Sequence, residues 1–236
     1  MFSETKLRLV KTSQSARVII FTFAVLGIVI EGVGFTSPFL LTAQDSIEKF
    51  LNQRGFAITC VPLFLVILYF GFSSYGPFER ARSSTQKEFQ SNIWWLFLCA
   101  LAVTVLSLVT WIAIEFGFGH RDWSQAKEQL PGILLLMFIS SCTQLIAIGL
   151  FQYMLISFGL SWGKTMPVLM VALISANWVL NGWAPDFTSL IFYFLIPVEP
   201  TFSSLAINKL IPFASFCILL TFVCGWAYDN RDYLGS

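Results

Sequence analysis

The chain has 236 residues, of which 56% are hydrophobic and 11% are Asp, Glu, Lys or Arg, where a soluble domain of this size carries roughly a quarter charged residues. A formal net charge of +1 supplies no field for holding nucleic acid, and a mean hydropathy of +0.75 argues against an ordinary soluble fold. The composition is that of an all-α integral membrane protein.

Residues 1–17 carry four basic side chains, Lys6, Arg8, Lys11 and Arg17, among Leu7, Leu9 and Val10. This mixture predicts a short amphipathic segment lying on the cytoplasmic membrane surface. The apolar stretch behind it is too long for the core of a signal peptide and offers no small-x-small cleavage site, so it is expected to be retained as a first span.

A helix needs about 20 apolar residues to cross the hydrocarbon core. Six charge-poor segments meet that need: 18–43, 55–76, 91–116, 133–160, 165–183 and 210–228. Together they predict one six-helix transmembrane domain over 18–230, followed by a cytoplasmic tail, 231–236. Runs of Phe, Leu and Ile without two-residue alternation argue against an outer-membrane barrel. A seventh apolar stretch, 187–198, is too short to span and lies between Pro185 and the Pro197/Pro200 pair. It reads as a short re-entrant or interfacial segment before the last helix, or as a loop with an apolar patch.

Loop charges set the orientation. With the N-terminus inside, nine Lys and Arg fall on the cytoplasmic side, at 6, 8, 11, 17, 80, 82, 87, 164 and 231, against five outside, at 49, 54, 121, 127 and 209. Both termini are therefore expected in the cytoplasm, and the setting that fits is a bacterial plasma membrane. Trp94, Trp95, Trp123, Trp162, Trp183 and Trp226 fall near span ends, where an amphipathic ring gains most from the headgroup zone.

Enzymatic constellations are missing. The single histidine, His120, excludes bis-histidine haem ligation and H-E-x-x-H metal sites within the chain. There is no G-x-S-x-G and no Walker A motif, so no catalytic role, metal or cofactor is expected here. Cys60, Cys99, Cys142, Cys217 and Cys224 form no C-x-x-C and read as small buried hydrophobes.

The polar residues inside the spans are the candidates for function. Glu31 falls near the middle of the first predicted span, flanked by Gly27, Gly32 and Gly34. A carboxylate at that depth is expensive and normally faces a bundle interior or a cavity. It reads either as a proton- or cation-binding group on a pathway or as a hydrogen-bonded structural acid. The second is favoured because its own span offers little polar company. Gln144 and Gln152 in the fourth span, and Asn177 and Asn181 in the fifth, either line a polar path or join helices through amide hydrogen bonds. Asn177 and Asn181, four apart, would share one helix face. Glu115, at the outer end of the third span, reads as an exposed interfacial acid. In the cytoplasmic loop 77–90, Glu79, Arg80, Arg82, Lys87 and Glu88 form a charged surface that would dock a partner by complementarity or remain solvated.

This layout resembles the permease subunits of the ABC-2 exporter family, which have an amphipathic N-terminal helix, six spans, a coupling helix between spans two and three, and short re-entrant helices before the last span. Segments 4–17, 77–90 and 187–198 occupy the matching positions. Many members carry an acidic residue followed by Gly-Thr in the coupling segment; here Glu79 is followed by Arg-Ala-Arg-Ser-Ser. The resemblance implies a path built by two copies, or by this chain and a related one, surrounded by membrane lipid. It also implies ATP bound on separate cytoplasmic subunits docked at 77–90, and polar residues of spans one, two and five near the path. The cargo would be a lipid, peptide or drug, including antimicrobial peptides to which export gives resistance. The 25 Phe residues suit an amphipathic or apolar cargo. Two other readings stand beside it: an ion-coupled carrier using Glu31, and an accessory subunit of a larger membrane complex.

Overall fold

The computed structural model describes residues 14–36, 42–71, 85–118, 123, 128–179, 182–199 and 201–229. Most of the expected amphipathic N-terminal segment, the tail 231–236, His120, Asn181 and the loop residues Glu79, Arg80 and Arg82 lie outside them. In chain order the elements are α1 (Gln14–Phe35), α2 (Ala43–Phe50), α3 (Gln53–Ile58), α4 (Cys60–Gly71), α5 (Thr85–Gly117), α6 (Leu130–Ser157), α7 (Trp162–Trp178) and α8 (Pro185–Ile191). A 3-10 turn (Tyr193–Leu195), α9 (Phe202–Leu205), a π-helical turn (Ala206–Leu210) and α10 (Ile211–Asp229) complete the described fold, in which no strand occurs.

Among the described residues, five helical stretches are long and apolar enough to cross a membrane: 14–35, 53–71, 87–117, 130–157 and 202–227. The remaining expected span, 165–183, corresponds to α7, whose 17 residues reach about 26 Å, at the short end of what spans a bilayer. The first span is shorter than expected. It ends at Phe35 rather than running to residue 43, and a separate helix, α2, starts behind a capping box in which Thr42 and Asp45 satisfy each other's backbone. The sequence carries the reason: Pro38 has no N–H to give to Gly34 and disfavours helix in the residue before it.

Helix α6 is the centre of the bundle and packs against α5, α7 and α10. In its most apolar 18-residue window 72% of residues are buried, against 6% for α1. Such an inverted surface, with Val18, Phe21 and Val33 of α1 and Ile218 and Phe222 of α10 all exposed, exceeds what a water-facing protein carries and is the ordinary face of a helix in lipid. Gly149 lets α6 approach its neighbours closely: a Cβ there would stand 2.9 Å from side-chain carbons of Leu96 and Phe64. Trp95, expected in the interfacial belt, instead packs into the core on Gly71, whereas Trp94, Trp183 and Trp226 are exposed.

Two prolines shape the ladder. Pro62 cannot donate to Ile58, and its ring crowds that carbonyl, so the second span breaks at Thr59 between α3 and α4. Pro212 stands in the same relation to Asn208, and the preceding turn widens into the π-helical stretch Ala206–Leu210, a known accommodation of a disrupted ladder.

Candidate intramembrane carboxylate site

Glu31 lies four residues before the end of α1, about 6 Å along the axis. It is therefore not at mid-span, as its place in 18–43 suggested, but one turn from the end at which α2 begins. Its polar company comes from other helices. Ser107 on α5 donates to Glu31 Oε1 at 3.2 Å, the Cys60 thiol lies 3.7 Å from the same oxygen, and Ser107 Oγ and Cys60 Sγ are 3.1 Å apart. The Thr59 hydroxyl bonds to Gly55 O at 2.9 Å and reaches Cys60 Sγ at 3.6 Å. Thr59 and Cys60 stand here because Pro62 interrupts the helix one turn later, so the break that frees backbone also concentrates side-chain donors beside the acid. Its own span supplies no polar company, as its sequence indicated; the groups beside Glu31 come from α4, from α5 and from Thr59 at the break between α3 and α4.

A cavity of about 390 Å³ opens against this cluster. Its walls come from α1, from the α2–α4 stretch and from Trp178 at the end of α7. Glu31, Thr59 and Cys60 form its polar floor, while Lys49, Asn52 and Arg54 bring polar and cationic groups from the α2–α3 corner. Arg54 stacks over Trp178, its Cζ 5.9 Å from the ring centroid. A second cleft, of only about 10 Å³, also touches Glu31, Thr59 and Cys60, alongside Gly27, Leu63, Ser107 and Thr110.

The cavity wall is held by a separate buried network. Ser46 of α2 donates to Glu115 Oε1 at 2.6 Å and accepts from Trp111 Nε1 at 3.0 Å. Phe50 of the same helix stacks on Phe35 and meets Trp111 edge-on. Glu115 is thus buried, not the exposed interfacial acid its position suggested; hydrogen bonding to α2 draws it inward.

The other sequence candidates are not brought to this site. Gln144 donates from Nε2 to Ile191 O at 3.0 Å, tying α6 to α8, and its Oε1 is buried without a partner among the described residues. Gln152 is fully buried with neither amide atom bonded among the described residues, and Asn177 bonds back to Leu173 O in its own helix at 3.2 Å. In the expected docking set, Lys87 is exposed but Glu88 is buried in the first turn of α5, which removes Glu88 from any solvent-facing charged surface. The stretch 187–198 forms the end of α8, the 3-10 turn and an extended exit, with Thr188, Phe192, Phe194 and Leu195 buried. It is folded into the bundle and is not a plain loop.

Sequence reasoning missed four kinds of residue. Lys49 and Arg54 were counted only as loop charges, although both line the cavity. Ser107 was hidden as a lone hydroxyl in an apolar run. Cys60 was read as an inert hydrophobe; Pro62, two positions on, was the available signal. Lys209, also counted as a loop charge, is buried and donates to Phe194 O at 2.7 Å, to Tyr193 O at 3.3 Å and to Ile196 O.

No protein-family model, no curated protein and no solved structure matches this chain.

Proposed function

We propose that this chain is the transmembrane permease subunit of an ABC-type exporter, carrying an amphipathic or apolar cargo and driven by separate cytoplasmic ATP-binding subunits. The observation that carries the proposal is the origin of the cavity walls. They come from the first and second helical spans, from the short α2 between them and from Trp178 of the fifth; the ABC-2 resemblance sets those three spans beside the translocation path, and the walls combine apolar and charged surface as an amphipathic cargo requires. The folded 185–199 segment ahead of the last helix takes the place of the family's re-entrant elements, and α7, as the fifth span, brings the number to six. In this reading Glu31, Lys49 and Arg54 contact cargo, and the 77–90 loop meets the ATPase.

The test is purification of the tagged chain in mild detergent from its native cells, followed by a nucleotide hydrolysis assay. The proposal expects a co-purifying ATP-binding subunit with vanadate-sensitive activity. A clean preparation without hydrolysis contradicts it.

A second reading, an ion-coupled carrier, is favoured by one observation: Glu31 lines a cavity beside a broken helix, the setting in which carriers place a coupling carboxylate. Reconstituted in vesicles, a carrier of this kind would lose its dependence on an imposed pH gradient on Glu31→Gln. Unchanged dependence would remove Glu31 from that role.

A further inference from the structure

The cavity beside Glu31 carries acidic and basic side chains that do not pair with one another. Among the described residues, no ion pair engages Glu31, Lys49 or Arg54. Their arrangement is nevertheless built. The Lys49 side chain crosses the bare face of Gly34, its Cε 3.4 Å from where a Cβ on that glycine would stand. Gly34 is three residues from Glu31, so the ammonium stem and the carboxylate share one face of α1. Arg54 is fixed on the opposite wall by its stacking on Trp178, an interaction that orients a guanidinium without consuming its hydrogen-bond donors. Cys60 on the floor and Ser107 of α5 both engage Oε1 of Glu31.

We propose that this cavity binds the head of a zwitterionic single-chain amphiphile, with the anionic group held by Lys49 and Arg54 and the ammonium by Glu31. A phosphoethanolamine lipid head has that pairing of charges within one small group. The volume of about 390 Å³ falls among small-molecule pockets and takes a head and the start of a chain, but not a two-chain lipid whole. The apolar remainder has a way out. Ile30 lines the cavity and is 44% exposed on the outer surface of α1, so the same residue borders the site and the lipid. The inference rests on the transport reading for its consequence, since it names the cargo class of that site, but binding itself is measurable on the isolated chain.

The experiment is isothermal titration calorimetry on the full chain in lipid nanodiscs with three probes of equal chain length. These are hexanoyl lyso-phosphatidylethanolamine, hexanoyl lyso-phosphatidylglycerol and hexylammonium, which carry both charges, the anion alone and the cation alone. The zwitterion is expected to bind about tenfold more tightly than either single-charge probe, a factor accessible to one additional paired contact. Glu31→Gln should erase its advantage over the anionic probe only. The double variant Lys49→Gln/Arg54→Gln, at two exposed positions whose replacement leaves the packed core alone, should erase its advantage over the cationic probe only. Three affinities within about twofold of one another, or a preference that survives both variants, would overturn the proposal. Failure here with a vanadate-sensitive ATPase still co-purifying leaves the exporter reading standing. Zwitterion preference without any ATPase sinks the exporter reading and keeps the site.

Discussion

Glu31 and Lys209 are both ionisable side chains within the helical spans, and they are treated differently. Lys209 is 1% exposed and spends its three donors on backbone carbonyls of the segment 193–196. Each N–H of an ammonium has found an acceptor, and neither cavity reaches it. Glu31 is half-buried, accepts from Ser107 and borders the cavity. Placing a charge at membrane depth costs several kcal/mol in either case. At Lys209 the cost is offset locally and the result is a fastener: the 3-10 turn is locked to the π-helical turn before α10. At Glu31 the compensation is partial and the remaining capacity points into space. The difference separates a charge that holds the fold from one that is available to something passing by.

That contrast makes graded predictions. Lys209→Met should have the largest effect on stability. It leaves the Phe194 and Ile196 carbonyls without their buried partner, each worth about 1–3 kcal/mol, so a loss of about 3 kcal/mol is expected in thermal unfolding in detergent, with new protease cleavage between 185 and 199. Unchanged stability would mean that the segment is held by its apolar contacts alone. Ser46→Ala comes next. It removes a 2.6 Å hydrogen bond to a buried carboxylate and the acceptor for Trp111, at about 2 kcal/mol, and should loosen α2 enough to raise hydrogen exchange in residues 43–50. Gly149→Ala should cost about 1 kcal/mol net. Crowding of Leu96 and Phe64 costs about 1–3 kcal/mol and is partly offset by up to about 1 kcal/mol of helix propensity gained over glycine; thermal unfolding measures the balance. Glu31→Gln should be the mildest for stability, within about 0.5 kcal/mol, because an amide of the same size still accepts from Ser107. A loss comparable to that of Lys209→Met would make Glu31 another fastener.

The helical membrane character was legible because hydropathy over some twenty residues reports a solvent requirement, which does not depend on tertiary contacts. Span ends were less legible. The segment 18–43 looks continuous in hydropathy, but Pro38 and the Thr42/Asp45 box divide it, and these are local backbone signals that a hydropathy count averages away. The role of Glu31 was only half visible. Its own helix has no other polar group near it, and the hydroxyls and thiol that surround it arrive from positions 59, 60 and 107, a juxtaposition set by packing. Lys209 misled for the same reason. A lysine near a span end reads as a loop charge unless the acceptors on a segment thirteen to sixteen residues earlier are known to lie within reach. Glu88 and Glu115 repeat the lesson: both sit where a helix end predicts exposure, and both are buried.

If the contrast holds, Glu31 borders a space reachable from one side of the membrane and Lys209 does not. In a variant with the five native cysteines replaced, single cysteines at Glu31, Asn52 and Lys209 would be challenged in sided vesicles with a small charged methanethiosulfonate that cannot cross the bilayer. The account predicts that Glu31→Cys reacts from the same side as Asn52→Cys and within about tenfold of its rate, and that Lys209→Cys is inert from both sides. An unreactive Glu31→Cys, or equal rates at Glu31→Cys and Lys209→Cys, would contradict it.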